Sequence, residues 1–171
     1  AGEGGLRTLV AASVGKTQAA QQAKGERDPS PRELQYKGFW TEFLPELHDT
    51  YPGWSRSNTP TTGSWLELPT GRTGIAYSLN FTTPRRLRAE VYLYDGAKHF
   101  APLLAKSAEI DATFGESMSW EELPEKRASR IAIYRDEADV GNETDWPAYR
   151  KWLLDMAGRL RETFQPEIDA L

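Results

Sequence analysis

A chain of 171 residues is long enough for one ordinary domain and too short for two substantial ones. Its 39% hydrophobic content and six Trp can build a core, which excludes a wholly disordered chain, and its net charge of −4 excludes a protein held to nucleic acid by bulk charge alone. Having no Cys, it excludes disulfides, thiolate zinc sites and a Cys nucleophile and fits a reducing cytoplasm, the expected location, and no apolar run approaches the roughly 18 residues of a membrane span.

Residues 1–35 hold five Gly, four Gln and no aromatic residue. Such a segment buries too little surface to offset the entropy of ordering it. Residues 1–30 are therefore expected to be a flexible linker or tag remnant, with a single α+β domain over 31–171. A start at Ala1 with no charged-then-apolar leader reads as a piece of a longer protein. Ser30, Pro31 and Glu33 are spaced as a capping box for a first helix. Tyr36, Phe39, Trp40, Phe43, Leu44, Leu47 and Tyr51 give that helix a core-facing stripe. Pro45 predicts a kink or an early end.

The middle of the chain reads as strands. Ser64–Leu68 is one, and Gly71-Arg72-Thr73-Gly74 is a turn. Ile75, Tyr77, Leu79 and Phe81 alternate with smaller or polar residues, as do Leu87, Ala89, Val91 and Leu93 beyond the Thr83-Pro84-Arg85-Arg86 turn. Period-two alternation with turns this short predicts an antiparallel meander with one face packed and one wetter. A second helix is expected to carry Phe100, Leu103, Leu104, Ser107, Ile110 and Phe114 on one stripe, stopping at Gly115. Short strands near 117–120 and 128–134, an acidic loop over 136–145 and a last helix ending at Pro166 complete the chain. The predicted fold class is α+β: a mainly antiparallel sheet of about five strands flanked by three helices, in the order α-β-β-β-α-β-β-α.

Several motifs have both a functional and a bland reading. Ser13-Val14-Gly15-Lys16-Thr17 resembles the end of a phosphate-binding loop, but that loop needs Gly at position 10, which is Val. The element order overlaps that of PD-(D/E)xK nucleases, whose magnesium site needs an acid two residues before a Lys. The residues two before the seven lysines are Val14, Gln22, Gln35, Gly96, Leu104, Pro124 and Tyr149, none acidic. His48 and His99 lack partners at metal-ligand spacing. No catalytic residue, metal or cofactor is expected. The candidate nucleic-acid-binding residues are Arg85, Arg86 and Arg88, clustered at one β-turn, with Arg72 in the preceding turn, because guanidinium suits bidentate phosphate contacts. The bland alternative is a charged turn that blunts a sheet edge. Trp54, after the Pro52-Gly53 turn, is read as an exposed anchor for a partner.

From Tyr36 onward the sequence resembles the bacterial and archaeal domain-of-unknown-function family 4268. Phe39-Trp40 with Phe43, Trp65-Leu66 through Ile75, Glu90-Val91-Tyr92-Leu93-Tyr94, Trp120 through Ile131 and Asp145-Trp146 through Pro166 carry the resemblance. It implies a C-terminal domain carried downstream of others, in some relatives of nuclease, restriction or defence type. The expectation is a non-catalytic accessory domain of a larger bacterial nucleic-acid-handling or phage-defence protein. It would bind DNA or RNA weakly or assemble subunits, and its partners would be other domains of the parent. One alternative is a protein-interaction or homodimerisation module; another is a degenerate PD-(D/E)xK-like nuclease domain.

Overall fold

Five strands hydrogen-bond in the order β1-β2-β3-β5-β4, every neighbouring pair antiparallel. The structure, a computed structural model, describes residues 27–171; the Ser13–Thr17 motif lies outside them. All of the regular elements belong to the compact unit Pro31–Leu171. They are α1 (Pro31–Thr50), β1 (Trp65–Pro69), β2 (Ile75–Thr82), β3 (Arg86–Leu93), α2 (Gly96–Leu104), α3 (Ser107–Phe114), β4 (Ser119–Glu122), β5 (Ser129–Arg135), a 3₁₀ turn (Glu143–Asp145) and α4 (Trp146–Asp169). The α+β class, the strand count and the antiparallel pairing are as the alternation predicts.

The strand register sorts side chains onto two faces, because successive residues point opposite ways. Leu68, Tyr77, Val91, Ile131 and Trp120 form one rung across the five strands, with Leu66, Leu79, Ala89 and Ile133 beside it. The helices pack on this face. Phe39 of α1 meets Phe81 edge-on at 4.8 Å, Phe100 of α2 lies 6.4 Å from Trp120, and Phe164 of α4 lies 6.4 Å from the same indole. The core between sheet and helices contains Trp40, Phe43, Tyr77, Tyr149 and Phe164, all essentially without solvent exposure.

Three sequence expectations are corrected. The first helix does not end at Pro45 but continues to Thr50. Pro45 and Thr41 both sit on the solvent side, so the carbonyl that loses its amide partner is hydrated rather than buried. The last helix likewise continues past Pro166 to Asp169. Glu162, whose carbonyl is freed, is exposed, and Ile168 is fully buried and anchors the final turn. The predicted second helix is two. The Lys106 amide closes onto the Leu103 carbonyl, three residues back, which tightens and ends α2 before α3 begins. The break redirects the chain from the sheet, where α2 packs, onto α4, where α3 packs, and it leaves Leu104 out of the core. Gly115 stops α3 in the left-handed conformation, φ 97°, its amide donating to Asp111.

Candidate functional site

The second face of the sheet is built from the opposite phase of the same strands. Its rungs read Trp65–Asn80–Arg88–Tyr134, then Glu67–Ser78–Glu90–Ala132–Ser119, then Pro69–Ala76–Tyr92–Arg130–Glu121, with Thr82 opposite Arg86 at the turn end. The helix-facing rungs are apolar; these carry arginines, acids and tyrosines among small and polar residues.

Glu90 is the centre of that face. Glu90 is 2% exposed, and its Oε2 lies 2.9 Å from both Arg88 Nε and Arg130 Nε. Asn80 donates to Oε1 at 3.2 Å. Burial raises the Glu90 carboxyl above its ordinary value, while Arg88, Arg130 and Asn80 pull it back. A carboxylate committed to two guanidiniums and an amide is poorly placed to ligate magnesium. Among the described residues no group of three or more His, Cys, Asp or Glu is disposed to hold a metal ion.

The hairpin arginines fan out from one turn. Arg85, at φ 35°, is the most exposed, and its Nε lies 3.4 Å from Asp139 Oδ2. Its carbonyl accepts the Ala138 amide at 2.9 Å, which ties the turn to the acidic loop. Arg86 lays its guanidinium 4.1 Å above the Tyr134 ring, and its Nε is buried without a hydrogen-bond acceptor. Arg88 lies along the sheet against Glu90, its side chain only 14% exposed. Strand β5 adds Arg130, 5.8 Å from the Tyr92 ring centre. Three guanidiniums and two phenol rings thus share one surface; Trp65 stands half-exposed at its β1 edge, and Tyr94, just past β3, is half-exposed with its hydroxyl donating to Glu67.

The structure does not bring Arg72 into this group. The turn that carries it lies at the other end of the β2–β3 hairpin, where Ile75 pairs with Leu93. Its Nη1 donates to the Ile168 and Leu171 carbonyls, so it ties the turn after β1 to the end of α4. Trp54 is not the exposed tryptophan. Its indole donates to the Pro69 carbonyl at 3.0 Å and packs edge-on against Tyr51 and Tyr77 under Arg161. A bulky ring beside a turn is buried when the turn folds back over the sheet, which local sequence does not reveal. The exposed one is Trp65, on an edge strand. Sequence reasoning missed Arg130, Tyr134, Asn80 and Glu90 as members of one face. The alternation in β3 and β5 marks their phase, but the pairing of β3 with β5 skips over β4.

An antiparallel α+β domain with its helices on one sheet face and an arginine–tyrosine surface on the other defines the class of protein. This chain belongs to the family described as Domain of unknown function (DUF4268), whose model matches residues 35–168. No curated protein and no solved structure matches it.

Proposed function

We propose that this is a non-catalytic accessory domain of a larger nucleic-acid-handling protein, and that it binds DNA or RNA weakly through the second sheet face and its β2–β3 turn. The observation that carries the reading is the row Arg86, Arg88 and Arg130, interleaved with Tyr92 and Tyr134 on the face away from the helices, with Arg85 in the adjoining turn. Guanidinium groups take phosphate oxygens, and phenol and indole rings take bases. The buried Glu90 carboxylate, 2.9 Å from the Nε atoms of Arg88 and Arg130, holds both guanidiniums beside it by charge.

Residues 36–171 carry 16 basic and 21 acidic side chains, so a polyanion is repelled at long range and held only locally. Two or three neutralised phosphates give a shallow salt slope, roughly −2 to −3 for duplex DNA, and an affinity on the order of 10–100 µM. Fluorescence anisotropy on labelled oligonucleotides checks this. The pair Arg85→Ser and Arg86→Ser is expected to remove binding with little change in melting temperature, whereas Arg88→Ser also lowers the melting temperature by removing one of the two guanidiniums beside the buried Glu90. Absence of binding at about 20 mM salt, or binding unaffected by the pair, would favour a dimerisation module, which light scattering would then show as a doubled mass.

A further inference from the structure

Beside the turn end of that face, α1, the start of β1 and the acidic loop enclose a cleft of about 750 Å³. Its volume falls inside the roughly 300–1,000 Å³ range of small-ligand sites. Arg32, Arg85 and Arg88 line it against one acid, Asp139, and Tyr36, Trp65 and Phe81 supply its rings. We infer that this cleft captures one unpaired nucleotide of a single strand, with its phosphate between Arg32 and Arg85 and its base against Trp65. The inference rests on the nucleic-acid reading above and narrows it to one class of ligand.

The position of Asp139 argues for the phosphate. Its Oδ1 lies 3.5 Å from Arg32 Nη1 and its Oδ2 lies 3.4 Å from Arg85 Nε, so one carboxylate bridges the two guanidiniums. Oδ1 also accepts the Gly141 amide at 2.7 Å, which holds the acid in place. Arg32 and Arg85 are 57% and 81% exposed, free to exchange a carboxylate oxygen for a phosphate oxygen. Arg88 is already paired with Glu90, and the single Asp139 between Arg32 and Arg85 leaves the cleft a formal excess of one positive charge for an entering anion. The base is argued from Trp65, 54% exposed on an edge strand at the cleft wall. A duplex presents its bases edge-on inside a stack, so only an unpaired base can lay its face on that indole.

Anisotropy with a labelled oligothymidine and a duplex of equal length, on the full chain at about 20 mM salt, tests the inference. The single strand is expected to bind about tenfold more tightly than the duplex. Trp65→Ala should cost the single strand about tenfold and leave the duplex unchanged; its exposure means that the fold survives the change. Asp139→Asn, which keeps the Gly141 contact and removes the competing charge, should tighten single-strand binding a few-fold. Equal binding of both oligonucleotides, or single-strand binding indifferent to Trp65→Ala, overturns base capture and leaves the sheet-face reading standing. Binding of neither oligonucleotide overturns both.

Discussion

Replacing Gly96 by Ala tests how tightly the first turn of α2 is set onto the sheet. Gly96 is the first residue of that helix, and its amide donates to the Arg127 carbonyl at 2.7 Å. A Cβ there would overlap Ser129 Oγ and stand 2.8 Å from the Ser129 backbone nitrogen and 2.9 Å from its Cβ. Two of those three atoms cannot rotate away, so the helix start must lift off β5. Overpacking of this kind costs about 1–3 kcal/mol, and weakening the Gly96–Arg127 bond adds about 1 kcal/mol. The gain in helix propensity is small at a first position. The net is about 2–3 kcal/mol, and over the compact unit Pro31–Leu171 each kcal/mol moves the melting temperature by about 3 °C. A circular-dichroism melt should therefore show Gly96→Ala falling by about 6–9 °C. Adding Ser129→Ala removes only the hydroxyl and should recover little. A single variant within about 2 °C of wild type, or full recovery in the double variant, would refute a backbone-limited contact.

Trp54, read from sequence as exposed, and Trp65, the exposed one, should separate in the same melt: Trp54→Ala loses about 3–5 kcal/mol, while Trp65→Ala stays near wild type. Burial first, then Arg72 and Lys98, lower the His99 pKa, so the folded state binds that proton less readily than the unfolded chain does. Stability contributed by neutral His99 is full above about pH 6.5 and is lost as pH falls below it. His99→Gln should flatten that slope in melts taken across the range. Incubation with plasmid and RNA in magnesium or manganese should leave both intact, since the Glu90 carboxylate is engaged by Arg88, Arg130 and Asn80; cleavage that disappears in Glu90→Ala would contradict this.

Local chemistry alone determined the elements. Residues that alternate or recur every three to four positions have one side that must leave water, so strands, stripes and the Gly115 stop are legible in the chain. What sequence could not decide was which elements touch. Pro45 and Pro166 predicted helix ends because proline removes a hydrogen bond, but the cost depends on whether the freed carbonyl reaches water, and here both do. Arg85, Arg86 and Arg88 were visible as a cluster because they are neighbours in sequence. Arg130 and Tyr134 joined them only through the pairing of β3 with β5, and Arg32 and Asp139 only because α1 and the acidic loop meet at one turn. Burial of Trp54 and exposure of Trp65 were decided the same way, by which surface each strand and turn came to rest upon. Periodicity is a property of the segment; a site is a property of segments brought together by the burial of their other face.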